Sequence, residues 1–211
     1  MIEEGKRDAL LVATLPNVPF DGWSWSALRD GARSLGISDA EACDLFPRGA
    51  VDMVAWFSTW ADREMLRLLS REDLEAMKVR QRITTAVEAR LTVLDPHKEA
   101  VRRGLAVLAL PQNAPLGAKL VYRTVDAMWY AAGDTATDWN FYTKRGLLAG
   151  VFSATTLYWL DDRSPGHVDT SAFLQRRLGE VMSIPRVTAK LREFADRLPN
   201  PLRFFRLAQR R

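Results

Sequence analysis

The chain has 211 residues, 47% of them apolar, one cysteine and a net charge of +4. That length suits one domain with or without an appendage, and the apolar share excludes a disordered chain. The single Cys43 excludes an internal disulfide and a cysteine-cluster zinc site, and it points to a reducing compartment.

The charge is unevenly placed. Residues 196–211 hold five arginines and one acid, Asp196, while the other 195 residues hold 25 basic and 25 acidic groups. The basic character therefore belongs to the tail, and a body without net charge is not a general nucleic-acid binder. The charged start, Met1-Ile2-Glu3-Glu4-Gly5-Lys6, has neither the apolar run of a signal peptide nor the Arg-rich character of a transit peptide, so no targeting segment is expected. The run from 146 to 160 is uncharged but shorter than the roughly 18–20 residues of a spanning helix. It also carries Ser153, Thr155 and Thr156, which marks a buried core helix.

Helical periodicity dominates, and no stretch alternates long enough for a strand. A first helix is predicted over 3–15, stopped by Pro16 and Pro19. Ser24 or Ser26 caps a second helix to about residue 35, ended by Gly36. Ser38 caps a short third helix over 39–46, closed by Pro47. A long fourth helix over 50–69 places Met53, Trp56, Phe57 and Trp60 on one face. Further helices are predicted at about 72–93, 97–109, 115–132, 138–160, 169–182 and 186–197, separated by Asp95-Pro96, Pro111, Pro115, Gly133-Asp134, Ser164-Pro165-Gly166 and Pro185. The fold class is all-α. Three short helices before a longer helical body are the layout of TetR-type regulators, with a helix-turn-helix around Gly36-Ile37-Ser38. The expected division is a three-helix region over 1–48, a helical body over 49–198 and an amphipathic tail over 200–211.

Residue chemistry narrows the function. The would-be recognition helix, 39–46, has three acids and no base, and residues 1–50 carry eight acids against five basic groups. Such a head is repelled by phosphates, so no nucleic-acid partner is expected. The two histidines, His97 and His167, stand in no metal-ligand spacing and read as solvated loop residues, so no metal is expected. No nucleophile elbow or phosphate-binding loop occurs, and Cys43 between Ala42 and Asp44 reads as a packed thiol. The chain is therefore not expected to be an enzyme. Of seven tryptophans, Trp56, Trp60, Trp129 and Trp159 fit either a filled core or the wall of a cavity for a long apolar ligand.

The segment 129–145, Trp-Tyr-Ala-Ala-Gly-Asp-Thr-Ala-Thr-Asp-Trp-Asn-Phe-Tyr-Thr-Lys-Arg, is long and mixed in composition. With Leu110-Pro111-Gln112-Asn113 and the stretch Asp169-Thr170-Ser171-Ala172-Phe173-Leu174-Gln175-Arg176-Arg177, it resembles the ubiquinone-biosynthesis accessory family of TetR-like lipid-binding proteins. The likeness covers about residues 105–180. One position departs: where the family usually has an aromatic, this chain has Ser171, which leaves a gap beside Phe173. The resemblance implies a non-catalytic protein without cofactor that binds an isoprenoid lipid or quinone intermediate. It implies docking to demethoxyubiquinone hydroxylase, a homodimeric state, and a place in the cytoplasm, peripheral on the inner membrane. The expected lipid-binding residues are Met53, Trp56, Phe57, Trp60, Val121, Val125 and Phe152. The expected partner-binding residues are Pro111, Gln112, Trp129 and Tyr130. The segment also reads physically as a corner, with Gly133 stopping one helix and Thr137 or Asp138 capping the next. A TetR-like transcription regulator with an apolar effector is the alternative, and an uncharacterised helical enzyme is the third reading.

Pro199-Asn200-Pro201 forms a stiff break before the tail. Asn200 suits an N-cap and Pro201 the first helical position. On a helical wheel Pro201, Phe204, Phe205 and Ala208 fall within about 100°, flanked by Leu202 and Leu207, while Arg203, Arg206 and Arg210 cluster within about 60° opposite. Phenyl and leucyl groups on one side and guanidinium groups on the other are what an interfacial helix needs, each arginine contributing on the order of 1 kcal/mol near an anionic leaflet. The expected membrane-binding residues are thus Leu202, Arg203, Phe204, Phe205, Arg206, Leu207 and Arg210. Flotation of the full chain with anionic liposomes should be lost on truncation after Leu198 or in the Phe204→Ser, Phe205→Ser double variant. Equal flotation of full and truncated chains contradicts this.

Overall fold

A computed structural model describes residues 2–134 and 139–181, and every regular element among them is helical. The sequence starts with α1 (Ile2–Thr14), a one-turn α2 (Val18–Asp21), α3 (Trp25–Ser34) and α4 (Asp39–Leu45). Ser24, not Ser26, caps α3 by accepting from the Ala27 amide at 3.2 Å, and Ser38 caps α4 by accepting from the Glu41 amide at 3.2 Å. α3 lies directly on α1: a Cβ at Gly31 would stand 2.7 Å from Thr14 Oγ1 and 2.9 Å from the Thr14 amide nitrogen. Only glycine permits that approach.

The body follows as α5 (Ala50–Leu69), α6 (Val79–Leu94), α7 (Lys98–Leu108), α8 (Ala114–Ala131), α9 (Trp139–Asp161) and α10 (168–181), with 3-10 turns at Asp95–His97, Pro111–Asn113 and Pro165–His167. Helix α5 has the predicted limits and buries Met53, Val54, Phe57, Ala61, Met65 and Leu69, a stripe of helical period. The helix expected from 72 begins instead at Val79. Arg82 explains the difference: it donates to the carbonyls of Met77 (2.9 Å), Glu75 (3.1 Å) and Ala132 (3.1 Å), so the carbonyls of an apparently helical sequence are captured by a side chain. The Lys78 amide then donates to Gln81 Oε1 at 3.1 Å and starts the helix there. The helix expected over 186–197 and the tail over 200–211 lie outside the described residues.

Two polar clusters fix the body. Asp62 of α5 is 6% exposed and accepts from Arg90 Nε of α6 (3.1 Å), Arg123 Nε of α8 (3.2 Å) and the Thr124 hydroxyl of α8 (2.8 Å). One carboxylate thus joins three helices, and the hydrogen bonds offset its desolvation. At the α9–α10 connection, burial alone would raise the Asp162 carboxyl. Hydrogen bonds from the Thr170 hydroxyl, from Ser164 and from the Ser164 and Thr170 amides outweigh that and hold it well below the usual carboxylate range.

Neither histidine is a free loop residue. His167 hydrogen-bonds Asp95 Oδ1 through Nε2 at 2.8 Å. His97 lies edge-on to Phe57 (6.1 Å) and Trp60 (5.9 Å), and burial lowers its pKa. Cys43 is half-buried rather than packed away. Because the folded pKa of His97 lies below the unfolded value of about 6.5, the unfolded chain takes up its proton first as pH falls. Stability is lost as pH drops from about 6.5 toward the folded pKa. The melting temperature should therefore fall more steeply between pH 8 and pH 5.5 in the wild type than in His97→Gln. Parallel pH profiles contradict it.

Candidate functional site

The described parts of the distinctive segment, 129–134 and 139–145, are the end of α8 with its closing turn and the start of α9. Gly133 takes φ +82, a conformation that favours glycine, and a Cβ there would stand 3.0 Å from Arg82 Nη1 and press on that side chain. The Asp134 amide returns to the Trp129 carbonyl at 3.0 Å and closes the end of α8. Arg145, 3% exposed, reaches back from α9 to Asp126 Oδ1 (2.6 Å) and Asp134 Oδ2 (3.2 Å), while Lys144 Nζ takes Asp134 Oδ1 (2.9 Å). Breaking such a buried pair from one side costs about 3–5 kcal/mol.

This corner bounds an apolar pocket of about 320 Å³. Its wall comes from α6 (Val79, Ile83), the end of α8 (Trp129, Ala132, Gly133), α9 (Leu147, Leu148) and α10 (Leu178, Val181), with Asp134 and Lys144 as its charged groups. Trp129 is 8% exposed, donates to the Lys144 carbonyl at 3.3 Å and lies under the Lys144 ammonium. Tyr130, the next residue, is 79% exposed.

The residues expected to bind lipid are brought together only in part. Phe57, Val121 and Phe152 line a separate cavity of about 100 Å³ between α5 and α9. Met53 and Val125, on α5 and α8, have no exposed surface and belong to the packed core. Trp56 turns toward α1, where its Nε1 donates to Asp8 Oδ1 at 2.8 Å and Arg7 and Arg63 lie over its ring. Trp60 stacks on Phe57 at 5.9 Å, half-buried. The pocket wall at Val79, Ile83, Leu147, Leu148, Leu178 and Val181 was missed. Its only sequence signal is apolar residues on three helices far apart in the chain.

The expected partner residues divide as well. Pro111, Gln112 and Tyr130 are exposed, but Trp129 is an internal wall and not a surface anchor. Pro111 and Gln112 precede α8 and Tyr130 ends it, so they stand roughly 25 Å apart along one helix at 1.5 Å per residue. Ser171 lines a third cavity of about 400 Å³ with Glu88, Asp95, Trp159, His167 and Thr170, while Phe173 stacks on Tyr158 at 4.6 Å. The expected membrane residues, Leu202, Arg203, Phe204, Phe205, Arg206, Leu207 and Arg210, lie outside the described residues. No helix among the described residues is long and apolar enough to cross a membrane.

In the N-terminal head, Lys6 pairs with Glu41 (2.7 Å), Arg29 with Asp39 (3.3 Å), Arg33 with Asp30 (2.8 Å) and Arg48 with Asp52 (2.6 Å). Arg7 lies over the Phe46 and Trp56 rings. The cations of the head are thus engaged by acids and aromatics of the head and of α5.

Residues 114–185 match the COQ9 family model. The chain is 34% identical over 203 residues to the human mitochondrial ubiquinone biosynthesis protein COQ9, covering 93% of this chain and 64% of that protein. It is 35% identical to the rat protein over 93% of this chain and 65% of that one, and 37% identical to the Xenopus tropicalis protein over 86% and 59%. The chain therefore spans less than two thirds of the length of these relatives. Among solved structures, the TetR transcriptional regulator from Nitrosomonas europaea superposes with a TM-score of 0.69 at 22% identity, covering 84% of this chain and 98% of that one, a likeness of fold. With the corner at 129–145 inside the matched domain and relatives along nearly the whole sequence, the chain belongs to the COQ9 family.

Proposed function

We propose that this chain is a non-catalytic lipid-binding accessory protein of ubiquinone synthesis. It holds the isoprenoid tail of a quinone intermediate in the pocket beside Trp129 and presents the intermediate to demethoxyubiquinone hydroxylase at the membrane. The observation that carries the reading is the apolar pocket of about 320 Å³ built on the family's own corner, with an exposed tyrosine one residue from its wall. Such a pocket suits a hydrocarbon chain, and its charged groups, Asp134 and Lys144, are already paired with each other. The relatives' names place them in ubiquinone biosynthesis, which supports the pathway. Tyr130 is the partner anchor, with Pro111 and Gln112 extending the contact along α8. The arginine-rich tail supplies the membrane contact, peripheral on the cytoplasmic face of the inner membrane, and the chain acts as a homodimer. The engaged cations of the head disfavour the regulator reading, since DNA affinity requires free positive charge.

Lipid extracted from the purified chain and examined by mass spectrometry should contain isoprenoid species, and Leu147→Trp, which fills the pocket, should lose them while keeping its helical spectrum. In the same preparation Tyr130→Ala should weaken hydroxylase binding by about 2 kcal/mol, roughly thirtyfold, without loss of lipid. Absence of isoprenoid from the wild type, or its retention in Leu147→Trp, contradicts the pocket assignment.

A further inference from the structure

The pocket beside Trp129 is one-sided. Its two charged groups, Asp134 and Lys144, stand together at 2.9 Å, while α6, α9 and α10 contribute the apolar Val79, Ile83, Leu147, Leu148, Leu178 and Val181. Such a pocket suits an amphipathic ligand whose polar end lies at the charged pair.

The two charged groups are not equally available to that end. The Asp134 carboxylate is 9% exposed and already accepts from Arg145 Nη1 (3.2 Å) and Lys144 Nζ (2.9 Å). The Lys144 side chain is 39% exposed, and its ammonium lies over the Trp129 ring, 5.5 Å from the ring centre. An ammonium has three hydrogens, and one goes to Asp134. At that exposure the remaining N–H groups are within reach of a ligand oxygen, which takes the place of solvent.

The charged end of the pocket therefore offers donors and little free acceptor. A donor head such as an amine is disfavoured. A full anion is disfavoured too, because the Asp134 carboxylate beside the ammonium already balances it and repels a second negative charge. A neutral head with acceptor oxygens fits. We propose that Lys144 is the head-group positioning residue of this pocket, donating to a carbonyl or ether oxygen on a neutral ring. The ring then lies at the rim, with the prenyl chain against the apolar residues of α6, α9 and α10. This rests on the lipid-binding reading above. It also sets the direction of the ligand: the Asp134 amide closes on the Trp129 carbonyl, so the ring stands within about one helical turn of the exposed Tyr130. Asp134 keeps Arg145 when Lys144 is replaced, so a Lys144 variant retains the buried ion pair.

The test is displacement of the neutral fluorescent hydrocarbon diphenylhexatriene from the full chain by two ligands. One is a fully substituted dimethoxy-methyl-benzoquinone with a geranyl chain. The other is geranylpentamethylbenzene, with the same chain and ring shape and no oxygen. Lys144→Met keeps the apolar stem without the ammonium. Partial exposure reduces what a charged donor contributes, so this variant should weaken the quinone about fivefold and leave the hydrocarbon within about twofold of wild type. Lys144→Arg restores donors and should hold the quinone within about twofold of wild type. Leu147→Trp should lose both ligands. Equal weakening of both ligands in Lys144→Met, or an unchanged quinone there while Leu147→Trp loses both, overturns the role of Lys144 and leaves the pocket standing. Failure of both ligands to displace the probe from the wild type overturns the pocket reading itself, and this inference with it.

Discussion

The buried ion pair of Arg145 with Asp134 is the contact on which the site depends. It links α9 to the end of α8, with one partner 3% exposed and the other 9%, and Asp126 and Lys144 stand beside it. A guanidinium removed from water is tolerated only where its donors are met, so the pair sets a single geometry for the corner. From that geometry follow the direction of α9, the buried position of Trp129 and the exposure of Tyr130. Arg82 adds a second restraint on the same corner by holding the Ala132 carbonyl and the turn before α6 together. The apolar pocket lies beside this corner between α6, α8 and α9, and α10 closes it with Leu178 and Val181.

The two ends of the molecule use charge differently. In the N-terminal head, lysine and arginine side chains are paired with nearby acids or laid over aromatic rings, which stabilises a helix-turn-helix shape and leaves little to offer a phosphate backbone. In the body, Asp62 and Arg145 are buried and join helices distant in sequence. The fold is shared with a TetR regulator, while the head's own cations lie on acids and aromatic rings. Fold alone does not carry function, and the family relation is what separates this chain from its structural neighbour.

Much of the architecture was legible in the sequence because it is written in local signals. Ser24, Ser38, Gly36 and the apolar stripe of 50–69 place three of the first five helices within a residue or two. The start of α6 was not legible, because the stop is imposed by Arg82 reaching carbonyls at Glu75, Met77 and Ala132, a tertiary event with no local mark. The site was legible as a segment and not as a surface. The motif at 129–145 identified the family, but which of Trp129 and Tyr130 faces inward depends on the rotation of α8 against α9. The residues expected to bind lipid are dispersed for a similar reason: Met53, Phe57 and Trp56 share a helical stripe, yet one meets core, one a small cavity and one α1. A period identifies a buried face and is silent on whether that face meets atoms or space.

The proposed function turns on whether an isoprenoid tail lies in the pocket beside Trp129. A photoreactive isoprenoid, with a diazirine at its tail end, incubated with the full chain and mapped by peptide mass spectrometry tests it directly. The account predicts adducts on the peptides that carry Ile83, Trp129, Leu147, Leu148 and Leu178. Adducts confined to Phe57, Val121 and Phe152, or scattered over the surface, would contradict it.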